Sequence, residues 1–470
     1  MIDNSFEISR RAFLRRSAQL SAAGAASAFA LDLAALNEAA AFSNVQDYKA
    51  LVCIFLGGGN DHANTLIPFD QENYLKYSKI RGGDGEAGGG VALSRQSLSQ
   101  TVLRQPDSQI LTDGISYALA PTMPKLAARF NEGKLGVVLN VGPLETPLTL
   151  SQYLSTNHKA YPRPKKLFSH SDQARAWHTS SSAVPGVGWG GRMADLAQSA
   201  NTNAMFTAIG ISGGMLLRGQ ESLPFHLSTK GALLPKGLQY KLYGSSDATG
   251  ALSRLLLQND GSPFQIDLTR TNSRSIDYNR FLAEVLANTE VNVTFPSGSS
   301  LGSQLSMVTR LIAARDRVGV RRQLFMVSLG GFDHHGGLRG SHEALLGEVD
   351  GCMDAFYRAM LGLGIADQVT TFTTSDFGRT LSVNGDGTDH GWGGHHFVLG
   401  GAVKGGRFYG TAPQVSLTSD DQVKRGRLLP KISVDEYAAT LARWFGVADS
   451  ELPSVLPNIG RFATRGLGFI

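Results

Sequence analysis

The sequence predicts an α/β protein built on a mostly parallel sheet, and three observations lead there. Short apolar runs recur along the chain, each ends in a cluster of Gly, Asn, Asp or His, and segments with helical spacing separate them. Strands that are apolar at every position belong to sheets covered on both faces. Alternation with helices favours parallel pairing through crossovers. In such sheets, binding sites form beyond the carboxyl ends of the strands.

In chain order, residues 51–56 run into GGGND, 135–141 into GPLETP, 205–211 into SGG, 324–329 into GGFDHH and 369–374 into SDFGR. Helical spacing marks residues 123–130, 304–315, 342–363 and 437–445. Residues 80–115, rich in Gly, Ser and Gln, read as surface excursions. Residues 225–300 read as loops around short helices, an insertion placed to cap a site. No internal repeat and no linker divides residues 48–470, so one domain is expected.

The chain has 470 residues, 42% hydrophobic and 18% charged, a globular composition that excludes fibrous, disordered and multi-span membrane classes. Its net charge of +5 mildly favours anionic partners. The basic residues form no long block, so no nucleic-acid partner is expected. Cys53 and Cys352 sit in the apolar contexts LVCIFL and GCMDAF and read as core residues, with no cysteine zinc spacing.

Residues 1–41 read as an export signal: SRRAFLRR at 9–16, a small-residue apolar run over 17–35, and Ala39, Ala40 and Ala41 before a cut. Arg10 and Arg11 followed by Phe13 and Leu14 resemble the twin-arginine consensus, which implies the twin-arginine translocase as a partner and a periplasmic or secreted location. The run is too weakly apolar for a permanent transmembrane anchor.

Three clusters carry the chemistry. The first is GGGNDH with Asp61, the second GGFDHHG with Asp333, His334 and His335, and the third SDFGR with Asp376, followed by Asp389, His390, His395 and His396. Each follows an apolar run, so all three converge on one sheet edge. Carboxylates and imidazoles together are the ligand set of Zn, Mn or Fe, with Mg if oxygen ligands dominate. Singly, each has a plain structural role, such as a turn or a helix cap.

The ordered set GGGNDHANTLIPFD, LFSHSDQARAW, LGGFDHHGG, TTSDFGRT and GTDHGWGGHHFVLGGAVKGGRFYG resembles the bacterial domain of unknown function 1501 family, from about residue 48 to the end. That family looks like a branch of the alkaline phosphatase, sulfatase and phosphoglycerate mutase superfamily. The resemblance implies an alkaline-phosphatase-like α/β/α sandwich, one or two divalent metal ions (Zn, Mn or Mg) and an anionic ester substrate, phosphate ahead of sulfate. It makes Asp333, His335 and His390 ligands of a first ion, and Asp61 and Asp376 ligands of a second. Ser169, beside His170 at a helix start, becomes the nucleophile; Ser169-x-x-Asp172 is equally a capping pattern. The superfamily's Asp-His pair is Asp376-Phe377 here, which leaves His395 and His396 as candidate replacements, and His334 and His342 compete with His335. Lys404 and Arg407 are candidate contacts for a substrate anion.

Two other readings stand beside this one. Gly210-Ile211-Ser212-Gly213-Gly214 matches the nucleophile elbow of metal-independent serine hydrolases, with Ser212 as nucleophile. The Phe377 departure favours an exported metal-binding or scaffold module without turnover.

Overall fold

The computed structural model describes residues 42, 45–83, 90–180, 186–232, 236–239, 241, 243–258 and 261–470. The signal segment read over residues 1–41 lies outside them. The strands that build the core are β1 (Lys49–Leu56), β2 (Leu135–Gly142), β3 (Ala208–Gly210), β4 (Phe225–His226), β5 (Arg322–Leu329) and β6 (Val369–Ser375). A hairpin of β7 (Arg379–Asn384) and β8 (Gly387–His390) follows, then β9 (Gly394–Gly400), β10 (Arg407–Tyr409) and β11 (Ile432–Ser433). The helices used below are α1 (Gln71–Ile80), α2 (Pro124–Asn131), α3 (His170–Thr179), α4 (Trp189–Ala197) and α5 (Ser246–Leu257). They continue as α6 (Pro263–Ala287), α7 (Ser300–Ala313), α8 (Leu338–Gly362) and α9 (Val434–Phe445).

Nine strands form one sheet in the order β10-β2-β9-β6-β1-β5-β3-β4, with β11 also paired to β2. All pairings are parallel except those of β9, which runs against both β2 and β6. Along β1, Ala50, Val52, Ile54 and Leu56 enter one apolar cluster with α2, α7 and α8. Leu51 and Cys53 enter the other with α4, α9 and Trp177 of α3. This period-2 division between two helical layers is the physical content of an α/β sandwich. The expected mostly parallel sheet is present, and both cysteines are free and buried.

The three central strands end level. Leu56 pairs with Leu329 on one side and with Ser375 on the other. The turns that follow them, carrying Asp61, Asp333 and Asp376, therefore leave from the same edge.

The 225–300 segment, expected as loops around short helices, holds longer ones. It contains a 12-residue helix, α5, and a 25-residue helix, α6. Ser245 and Ser262 cap them, accepting from Ala248 and Gln265 N–H, and Pro263 opens α6. Among the described residues, its hydrogen bonds and ring contacts run to Phe206, Gly210, Arg310, Arg317, Glu348 and Cys352. No described helix is long and apolar enough to cross a membrane.

Helix α2 begins at Pro124 without a side-chain cap of its own. Asp350, from the middle of α8, supplies one: its Oδ1 accepts from Leu126 N–H at 2.7 Å and its Oδ2 from Lys125 N–H at 3.4 Å. Replacing Asp350 by Ala should lower stability by about 1–2 kcal/mol, as lost caps do, and Asp350→Asn should recover part of it; urea midpoints at neutral pH measure both.

Candidate metal centre

The site starts from the turn after β1. Gly58 and Gly59 have φ of 115° and 84°, where an L side chain is strained. A Cβ on Gly58 would lie 2.5 Å from Asp333 N, and one on Gly59 2.4 Å from the Phe377 ring. Only glycine permits the β1 turn to approach the β5 and β6 turns this closely. The Gly58 peptide then serves both neighbours: its N–H donates to Asp376 Oδ2 at 3.2 Å, and its carbonyl accepts from Arg379 at 3.1 Å.

His390 is brought in by the β7–β8 hairpin, where it pairs with Arg379 across a register shift after Thr388. His170 comes from the first position of α3. Its Nε2 lies 3.1 Å from His390 Nε2 and 3.3 Å from Asp333 Oδ2. His390 Nε2 is 3.2 Å from Asp333 Oδ1. The ligand atoms of His170, Asp333 and His390 all lie within 4.8 Å of one another. On the open side, His335 Nε2 stands 2.8 Å from His390 Nε2 and 3.2 Å from Asp333 Oδ1.

The far side of each ring has a partner that sets its tautomer. His170 Nδ1 meets Asp376 Oδ2 at 2.6 Å, so it carries the proton and donates. His390 Nδ1 donates to the Phe168 carbonyl at 2.8 Å. Phe168 itself has φ of 71°, a left-handed conformation unusual for a bulky residue, which aims that carbonyl at the ring. His335 Nδ1 faces Asp389 Oδ1 at 3.6 Å. With Nδ1 committed on the far side, His170 and His390 turn their Nε2 atoms toward each other and toward the Asp333 carboxylate. Phe377, 2% exposed, packs under both, with ring centroids 4.8 Å from His170 and 4.7 Å from His390.

Burial works to raise the pKa of both carboxyls, but the outcomes differ. At Asp333 the Arg379 guanidinium, 2.7 Å from Oδ1, overrides burial and holds the group below the usual carboxylate range. At Asp376 burial dominates the opposing His170 contact, and the carboxyl is pushed up. Asp376 Oδ1 is buried with no partner among the described residues. Burial also lowers His390, ahead of the opposing Phe168 carbonyl, which favours its neutral form.

The other residues singled out from sequence fall in four places. Asp61 is fully buried in an ion pair with Arg81, which lies just past α1 and also donates to the Thr380 and Leu381 carbonyls. Asp61 therefore faces Arg81 and stands outside the His170–Asp333–His390 group. His342 bonds Asn60 Oδ1 at 2.9 Å beside His334, with ring centroids 5.8 Å apart. His395 accepts from Asn140 N–H at 3.0 Å, and His396 packs on Trp177 inside the sheet. Lys404 and Arg407 flank the amino end of β2, where Gly406 N–H bonds Leu135 and Arg407 pairs with Gly136. Because β2 runs in the same direction as β1, this is the sheet edge opposite the His170–Asp333–His390 group.

Ser169 occupies the cap position of α3, but its hydroxyl donates to Asp172 Oδ2 at 2.7 Å and accepts no cap bond. The Ser212 hydroxyl donates to Gln304 Oε1 at 2.5 Å and accepts from Ser328 at 2.9 Å; no histidine or carboxylate contacts it among the described residues. A short 3-10 turn, Met215–Leu217, follows it in place of the helix an elbow requires.

Sequence reading placed Arg379 and Asp389 in the third cluster without giving either a role, and it missed Arg427, which donates to the His390 carbonyl, and the Phe168 carbonyl. Arg379 had a signal, three residues after Asp376 in SDFGR; the Phe168 carbonyl had none, because a backbone contact leaves no mark on residue type.

The family described as Protein of unknown function (DUF1501) has a sequence model that matches residues 264–451. The match includes Asp333, His335, Asp376 and His390 and stops short of Asp61, Ser169 and His170, whereas the motif likeness runs from about residue 48. No curated protein matches the chain.

The Asp61–Arg81 pair makes its own prediction. Asp61→Ala leaves Arg81 buried without a counter-charge and should cost about 3–5 kcal/mol. The Asp61→Asn/Arg81→Met double variant should recover much of that, as read from denaturant midpoints.

Proposed function

We propose that this chain is an exported, metal-dependent hydrolase of an anionic ester, phosphate ahead of sulfate, working at one divalent ion held by His170, Asp333 and His390. One observation carries the reading: two imidazole lone pairs and an ionised carboxylate converge while the opposite nitrogens are committed to Asp376 and to the Phe168 carbonyl. Metal-bound histidines use their second nitrogen in this way. The spacing of about 3.1–3.3 Å between ligand atoms also fits a tetrahedron with bonds of roughly 2.0–2.1 Å. A ligand set with an imidazole majority favours Zn, Mn or Fe over Mg. When bound, such an ion polarises an ester oxygen and lowers the pKa of a bound hydroxyl or water.

The chain's own residues divide the rest of the work. Asp376 and the Phe168 carbonyl orient the two rings, and Phe377 excludes water beneath them. His335 lines the open side. Ser169 is the nucleophile of this reading, and Asp172, which already accepts its hydroxyl proton, is the base that takes it. The start of α3 adds a favourable field for the anionic substrate. Export by the twin-arginine translocase, read from Arg10 and Arg11, accords with loading the ion before crossing.

A binding module without turnover is the second reading. The commitment of Asp61 to Arg81 favours it, since that removes one expected ligand of a second ion.

Elemental analysis of the purified chain should find about one divalent ion, lost in Asp333→Ala and His390→Ala. Asp376→Asn should weaken metal affinity by about 10–100-fold, the usual effect of removing such a partner. Hydrolysis of p-nitrophenyl phosphate should require the ion and disappear in Ser169→Ala with metal content unchanged. One ion without hydrolysis of phosphate or sulfate esters selects the binding module; no ion under zinc or manganese loading retires both.

A further inference from the structure

The segment between β2 and α3 passes beside the metal-ligand group, and its charge is one-sided. From Pro143 to Ser169 it contains Lys159, Arg163, Lys165 and Lys166 against a single acid, Glu145. Its end is fixed at the site, because the Phe168 carbonyl holds His390. A second basic segment meets it there: the short hairpin Gln422–Val423 with Arg427–Leu428 carries Lys424, Arg425 and Arg427. Arg427 Nε donates to the His390 carbonyl at 2.7 Å, and its guanidinium lies 4.6 Å over the Phe168 ring.

Two of these cations are matched. Arg425 is 2.5 Å from Asp389, and Lys166 is 3.7 Å from Asp172. Lys165 and Lys424 are exposed, and among the described residues neither has a carboxylate within ion-pair range. Cations left unmatched on both flanks of one site raise the local potential and attract anions. A single small ester needs few such charges. A rim of them on two segments fits a ligand whose negative charges repeat.

The aromatic rings decide between kinds of polyanion. Strand-binding sites for nucleic acids offer open aromatic faces on which bases stack. Here Arg163 covers Tyr153 at 4.9 Å, Arg427 covers Phe168, and Tyr161 packs into the apolar cluster around Trp392. Recognition by charge without base stacking is what remains.

We infer that this rim binds an acidic polysaccharide carrying sulfate esters along its length, and presents one of them to the His170–Asp333–His390 group. The chemistry of that last step rests on the hydrolase reading; the binding does not. The test is the affinity of the full chain for dextran sulfate, beside neutral dextran and a single-stranded oligonucleotide, at about 50 and about 200 mM salt. Dextran sulfate should bind, should weaken at least tenfold at the higher salt, and should lose at least tenfold in Lys165→Glu/Lys424→Glu; neutral dextran should not bind. The milder Lys165→Gln/Lys424→Gln pair guards against misfolding and should lose affinity in the same direction. Tighter binding of the oligonucleotide, equal binding of neutral dextran, or indifference to both double variants overturns the inference. A chain that binds dextran sulfate yet hydrolyses no ester sinks the hydrolase reading alone. One that hydrolyses small esters and ignores dextran sulfate sinks the polysaccharide alone.

Discussion

Level termination of three parallel strands is the constraint on which the rest of the structure depends. β1 lies between β5 and β6, in a register that sets Leu56 against both Leu329 and Ser375. A slip of one residue would turn every side chain of β1 to the wrong helical layer, so burial on both faces holds the register firmly. The turns beyond are then tied to one another by backbone bonds, Gly57 N–H to Leu329 and Phe332 N–H to the Gly57 carbonyl. Asp333 and Asp376 converge because these strands stop together.

Two buried arginines then sort the carboxylates that convergence creates. Arg81 takes Asp61 Oδ2 inside a pair with no solvent exposure, and Asp61 Oδ1 accepts from Ala63 N–H. Arg379 takes one oxygen of Asp333, keeping that group ionised while Oδ2 stays turned to His170. Asp376 has no arginine and leans on His170 and a backbone N–H instead. Three acids in similar Gly-rich turns thus hold different electrostatic positions. The difference lies in cations that arrive from elsewhere in the chain.

The periphery follows the same logic. The hairpin that returns His390 to Arg379 also places Asp389 and Arg425 together, and the segment before α3 is anchored through the Phe168 carbonyl. Elements with few buried apolar residues are therefore tied to the site by polar contacts, and they bring the surplus positive charge with them. The helical pair α5 and α6 sits at the far sheet edge and shares none of these ties.

The sequence by itself determined the sheet and its layers. The run 51–56 is apolar at every position and 369–374 is β-branched or aromatic throughout, a pattern that burial on both faces accounts for. It also marked the edge where the site would lie, since Asp333, Asp376 and His390 all follow such runs. It could not show that β9 runs antiparallel, because an apolar strand buried on both faces reads the same in either direction. The helices of 225–300 read as short from sequence; α5 has no buried residue, so no apolar stripe marked its extent. The roles of Asp61, Lys404 and Arg407 were decided by tertiary structure alone. Whether a carboxylate meets a metal ligand or an arginine depends on what folding brings to it from distant positions, here Arg81 from beyond α1. Lys404 and Arg407 lie at the opposite end of a strand whose direction no local pattern records.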